Sequence, residues 1–81
     1  RVDCPDEVKF DIVKRVLAHY RATHDVLDVD GARINFQGGW GLVRASNTQP
    51  ALVLRFEAVS PARLAEIRSE VEAVVRSAQP Q

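Results

Sequence analysis

The sequence predicts an α+β fold in which an antiparallel sheet of four main strands carries two helices on one face. Three features of its 81 residues carry that prediction. Both flanks repeat apolar residues at helical spacing, the middle alternates with period two, and Asp30-Gly31 marks a tight reversal within it. On size scaling this is one domain, residues 1–81, burying roughly 60–65% of its unfolded surface and leaving no room for a second lobe.

Pro5 suits the first helical position, and Asp6 and Glu7 sit in the first turn, where the helix dipole favours acids. A helix from about Pro5 to Tyr20 follows. Val8, Phe10, Ile12, Val13, Val16, Leu17 and Tyr20 fall on one wide arc, with Asp11, Lys14 and Arg15 opposite, so one face is buried. Asp30-Gly31 then reads as a two-residue type I′ hairpin turn, which needs positive φ at both central positions. That turn sets Val29 opposite Ala32, Leu27 beside Ile34, and Asp28 beside Arg33, where opposite charges can pair.

Gln37-Gly38-Gly39 turns the chain into a third strand from Trp40 to Ala45. Regular alternation there groups Arg44 with Trp40 and Leu42, and Gly41 with Val43 and Ala45; parity alone leaves open which group meets the helices. In the fourth strand Leu52, Leu54 and Phe56 alternate with Val53, Arg55 and Glu57. Ser60 ahead of Pro61 caps the second helix, whose stripe is Leu64, Ile67, Val71, Val74 and Val75. Arg68 with Glu72, and Glu72 with Arg76, form i,i+4 pairs on its wet side. The tail 77–81 reads as frayed.

Eleven basic and eleven acidic residues cancel, so the net field gives no reason to expect nucleic acid or a membrane surface as partner. The single Cys4 excludes an intrachain disulfide, and no apolar run approaches the roughly 18 residues that span a bilayer. A cytoplasmic setting is the expectation. The chain starts at Arg1 and contains no Met, which reads as a piece of a longer polypeptide.

The chemistry concentrates in Gly41-Leu42-Val43-Arg44-Ala45-Ser46-Asn47-Thr48-Gln49-Pro50. A guanidinium offers a planar fork to phosphate oxygens, and Ser, Asn and Thr add short donors on a segment able to curl its N–H groups inward. On chemistry alone two readings stand: an oxyanion site, or a surface turn whose polar side chains satisfy its own backbone. Ser46 has no His, Asp or Glu near it in sequence to act as a base, so a phosphate donor suits it better than a nucleophile.

Other groupings read more plainly. Asp28-x-Asp30-Gly31 lacks the remaining ligands of a calcium loop and is a hairpin turn. His19, His24 and Asp25 read as surface groups, Cys4 as a buried or edge thiol, and Gly38-Gly39-Trp40-Gly41 as turn and strand-edge glycines because a strand follows. Trp40 reads as core or as an interdomain contact, with stacking on carbohydrate as a lesser role.

The pattern Arg44-x-Ser46-x-Thr48-x-Pro50 followed by an apolar strand resembles the C-terminal phosphate-binding loop of the alpha-D-phosphohexomutases. Within that superfamily, Gly39 to Thr48 and Leu52 to Ala58 look most like the bacterial phosphomannomutase/phosphoglucomutase group. The resemblance follows the order of elements along essentially the whole chain, and its most specific part is Trp40 to Glu57.

The resemblance implies the C-terminal domain of a four-domain mutase that moves a phosphoryl group between C1 and C6 of glucose or mannose through a bisphosphorylated intermediate. Arg44, Ser46, Asn47 and Thr48 match the residues that grip the phosphate distant from the reacting end. The phosphoserine and the Mg2+ ligands of the family lie in earlier domains, so no catalytic or metal-binding residue is assigned here. Glucose 1,6-bisphosphate is the implied activator, and the implied partners are the hexose phosphate and the other domains of the same polypeptide. Many superfamily members, among them the hexosamine phosphate mutases, have Gly and Glu where this chain has Asn47 and Gln49, which favours the mannose/glucose group. The family's domain has a TATA-binding-protein-like fold and swings to close a cleft, making residues 1–4 the end of a hinge or a short edge strand. The competing reading is a freestanding anion-binding or regulatory interaction module.

Overall fold

The period-two alternation becomes a five-stranded antiparallel sheet in the computed structural model, which describes residues 2–79. In chain order the elements are β1 (Val2–Asp3), a 3-10 turn (Asp6–Val8), α1 (Lys9–Arg21), β2 (Asp25–Leu27), β3 (Ala32–Phe36), β4 (Gly39–Ala45), β5 (Ala51–Ala58) and α2 (Pro61–Ala78). The strands lie in the order β1-β5-β4-β3-β2. The four main strands are those expected, and the two-residue β1 adds an edge beside β5, pairing Val2 with Leu52. Arg1 of the expected hinge segment, and Pro80 and Gln81 of the expected tail, lie outside the described residues.

Burial decides what parity left open. Val43 and Ala45 of β4, Ile34 of β3 and Leu52 of β5 enter one core with Ile12, Val16 and Tyr20 of α1 and Ile67, Val71 and Val75 of α2. Both helices therefore cover one face. A Cβ added to Gly41 would sit 3.4 Å from Val71 Cγ2, so Gly41 also looks toward α2. Arg44, Trp40 and Leu42 consequently occupy the other, open face.

The hairpin register differs from the expected one by a single residue. Val26 pairs with Ile34 and Leu27 with Arg33, which sends Val26 toward the core and leaves Leu27 half exposed at 51%. Because the side-chain period is two, one residue of slip exchanges the faces. The cause is the turn: among the described residues only Gly31 and Gly38 have positive φ, so Asp30 does not supply the second left-handed position that a type I′ turn needs. Gly31, at φ +115°, closes a longer loop, and a Cβ there would stand 2.6 Å from the Val43 carbonyl oxygen. Asp28 does not meet Arg33; its carboxylate takes a hydrogen bond from Arg21 at 3.4 Å.

The first helix also departs in detail. Its opening at Asp6–Val8 is a 3-10 turn, and Phe10, expected inside, is 58% exposed. Lys9 is buried instead. At the far end of α2 the predicted fraying does not begin at Ser77, since the helix continues to Ala78, which is itself buried. Arg15 Nη1 donates to the Ala78 carbonyl at 3.3 Å, satisfying an orphan acceptor of the last turn. The expected Ser60 cap accepts from Arg63 N–H at 3.1 Å, and Arg68 pairs with Glu72 at 3.3 Å. Tyr20 and Glu70 join the two helices through a 2.9 Å hydrogen bond.

Candidate functional site

β4 and β5 pair up to Ala45 and Leu52, and the turn between them is residues 46–50. Its two ends are pinned by backbone bonds. Ser46 N–H donates to the Ala51 carbonyl at 3.0 Å, and Ala51 N–H donates to the Gln49 carbonyl at 2.8 Å. Inside the turn, Thr48 N–H and Gln49 N–H both point at Ser46 Oγ, at 3.4 and 3.2 Å. The Ser46 oxygen therefore accepts twice, while its own hydrogen remains available to donate outward. Two donors on that oxygen oppose its use as a nucleophile, which needs a base to withdraw the proton.

Two further ties reach the turn from distant parts of the chain. Cys4 N–H donates to the Pro50 carbonyl at 3.0 Å, and Lys9 Nζ donates to the Gln49 carbonyl at 3.2 Å. The turn is thus held in a fixed shape at the end of the sheet. Arg44 and Ser46 are half-buried, whereas Asn47, Thr48 and Gln49 are exposed. All four residues singled out from the sequence, Arg44, Ser46, Asn47 and Thr48, lie within this one segment. Arg44 and Asn47 also border a cleft of about 320 Å³ whose other walls include Phe10, Lys14 and Leu17 of α1 and Asp28 of the hairpin.

The open face adds residues that the sequence reading did not select. By register, Arg44 stands beside Val53; the next row holds Leu27, Arg33, Leu42 and Arg55; the row after it holds Asp25, Asn35, Trp40 and Glu57. Arg44, Arg33 and Arg55 thus cluster in the rows nearest the turn, with Asp3 beside Ala51 at the same end, and Asp25 and Glu57 lie farther from it. Three guanidinium groups therefore share one stretch of this face although the whole chain is neutral. The alternation of Arg55 with Leu54 and Phe56 was the available signal for it; Arg33 had been assigned to Asp28 by the slipped register.

The rejected candidates acquire concrete places. Trp40 is not in the core under the helices: it lies half-buried on the open face, with the Arg33 guanidinium 4.4 Å from its ring centre. His24 packs edge-on to Tyr20 and Phe36, and its Nδ1 lies 2.8 Å from Thr23 Oγ1. Cys4 is buried, and that burial raises the thiol above its usual range, away from thiolate reactivity. Among the described residues no group of three or more His, Cys, Asp or Glu side chains is placed to hold a metal ion. No described helix is long and apolar enough to cross a membrane.

Residues 1–74 match the family described as phosphoglucomutase/phosphomannomutase, C-terminal domain. A probable phosphoglucosamine mutase of Methanopyrus kandleri is 41% identical over 76 residues, covering 93% of this chain and 17% of that protein. A phosphomannomutase/phosphoglucomutase of Pseudomonas putida is 46% identical over 68 residues, covering 83% of this chain and 15% of that protein. The crystal structure of a phosphoglucomutase/phosphomannomutase family protein from Burkholderia thailandensis superposes with a TM-score of 0.76 at 35% identity, over 89% of this chain and 16% of that one. The chain thus spans about one sixth of the length of these relatives, whose names make them isomerases. With the family match over residues 1–74 and the superposition in agreement, the chain belongs to the phosphohexomutase superfamily as a phosphoglucomutase/phosphomannomutase C-terminal domain.

Proposed function

We propose that this domain grips the distant phosphate of a hexose phosphate in a larger phosphohexomutase that interconverts the 1- and 6-phosphates of glucose or mannose in the cytoplasm. The observation that carries the reading is the pinned turn 46–50 at the basic end of the open face, with Arg44 beneath it. Arg44 presents the bidentate fork, and the Ser46 hydroxyl, Asn47 amide and Thr48 hydroxyl supply neutral donors to the remaining oxygens. Because phosphoryl transfer depends on alignment, a remote grip orients the reacting oxygen without taking part in bond making. A bisphosphorylated intermediate presents first one end and then the other, so this site recognises a phosphate rather than a particular hydroxyl.

The phosphoserine and Mg2+ of such an enzyme, and activation by glucose 1,6-bisphosphate, belong to parts of the polypeptide beyond this chain. A match to about one sixth of each relative favours this reading over a freestanding anion-binding module. The relatives include both a glucosamine and a mannose/glucose mutase by name, and Asn47 and Gln49 favour the second class.

The test is a titration of glucose 1-phosphate into isotope-labelled domain. Three or four charge-assisted hydrogen bonds at roughly 1.5–3 kcal/mol each, less association costs on the order of 4 kcal/mol or more, leave about millimolar affinity. Amides from Arg44 to Thr48 shift while those of α2 stay still, and Arg44→Ala abolishes the shifts. Shifts centred on His24 or Asp28, with a silent Arg44-to-Thr48 segment, would place the anion elsewhere.

A further inference from the structure

Lys9 is the one fully buried charged residue among those described, at 4% exposure. Burying an ammonium is costly unless its donors are matched. Its Nζ lies 2.7 Å from Asp6 Oδ1, 5.4 Å from the centre of the Phe10 ring, and 3.2 Å from the Gln49 carbonyl oxygen. The Asp6 pair does not explain the burial, because Asp6 is largely exposed and an i,i+3 pair forms equally well on a wet helix face. The distinctive partner is Gln49, forty residues away.

The Gln49 peptide is where the turn's bonds converge. Its N–H donates to Ser46 Oγ, and its carbonyl accepts from both Ala51 N–H and Lys9 Nζ. We infer that Lys9 is a positioning residue for the phosphate grip: its ammonium, fixed on α1, holds the Gln49 peptide and through it the Ser46-to-Thr48 turn. This rests on the grip proposed above, but the tether itself can be tested separately.

The experiment uses the full-length polypeptide that carries this domain. Lys9→Met keeps the stem and removes the donors. KM for a hexose 1-phosphate should rise about tenfold, the order carried by one charged hydrogen bond. Turnover should fall as well, because a loosened grip orients the reacting oxygen less well. Amide exchange across residues 46–51 should accelerate about tenfold while Val71 to Val75 keep their protection. Lys9→Arg, which restores a cation with donors, should recover at least half of the lost affinity.

Unchanged KM and unchanged exchange in the turn would overturn the inference, as would a domain-wide loss of protection with unaltered KM, which marks a purely structural lysine. Should Lys9→Met not fold, acetylation of the unaltered protein decides. Hexose phosphate should slow acetylation of Lys9 relative to its own rate in the free protein, and Arg44→Ala should remove that protection. A Lys9 rate that hexose phosphate leaves unchanged sinks the tether. Failure of the grip itself reads differently: Arg44→Ala then leaves KM unchanged, while the exchange of residues 46–51 in Lys9→Met still reports on the tether.

Discussion

Arg44 and Lys9 are both cations beside one turn, yet only the first was legible in the sequence. Arg44 announces itself by type and spacing, since a guanidinium two residues before Ser46 and four before Thr48 has few other uses. Lys9 was hidden by an assumption. It precedes Ile12 by three residues, Val13 by four and Val16 by seven, so it sits inside the apolar arc of α1, while Phe10 lies at the edge of that arc. A charged residue at the centre of a helix's buried face was the missed signal. The exposed grip makes a specific demand on Arg44: in the full-length enzyme, Arg44→Ala should lower kcat/KM by about 10- to 100-fold, the range of a lost charged hydrogen bond. Arg44→Lys should recover only part, because a point charge does not reproduce the bidentate fork. The melting temperature should move by no more than a few degrees in either variant, since the open face lies outside the core. Steady-state kinetics beside thermal unfolding separates the two effects, and equal activity of Lys and Arg at this position would remove the bidentate argument.

Among the elements, strand positions and the start of α2 were readable, whereas the sheet face that meets the helices and the hairpin register were not. Alternation placed β4 and β5, and the Ser60-Pro61 pair placed the start of α2, because each signal is local. The register of β2 against β3 depends on which residues accept left-handed backbone, and only Gly31 of the Asp-Gly pair does. Gly31→Ala should therefore destabilise the domain by about 1–3 kcal/mol, combining an unfavourable φ with the approach to the Val43 carbonyl. Chemical denaturation measures this, and a loss below a few tenths of a kcal/mol would show that the loop relaxes freely. The helices provide a second test. Tyr20 is buried and donates to Glu70, and desolvation followed by that hydrogen bond raises its hydroxyl well above the ordinary value of about 10. The folded state then holds a proton that the unfolded chain releases, so this group's stabilisation is complete below about pH 10 and declines as pH rises above it. Tyr20→Phe should cost about 1 kcal/mol near neutrality and should flatten the alkaline decline in stability relative to the parent. A parallel decline in both proteins would assign the alkaline loss to other groups.

At the scale of the molecule, one face is closed by two helices and the other is left open, with its charge arranged toward one end. The Ser46 oxygen is occupied by two N–H donors, the buried Cys4 thiol is held protonated, and the described acidic and imidazole groups form no metal cluster. Under the proposed reading, a remote grip gains only when the reacting groups stand opposite it, because the binding energy of the distant phosphate is expressed through alignment. Rigorously purified domain should therefore bind glucose 1-phosphate weakly and produce no glucose 6-phosphate, even with magnesium and glucose 1,6-bisphosphate supplied. A coupled assay for the 6-phosphate, run beside the full-length enzyme at equal molar concentration, measures this. Turnover that tracks the domain through successive columns and disappears in Arg44→Ala would show that these residues carry out the chemistry themselves, and the division between gripping and reacting parts would have to be abandoned.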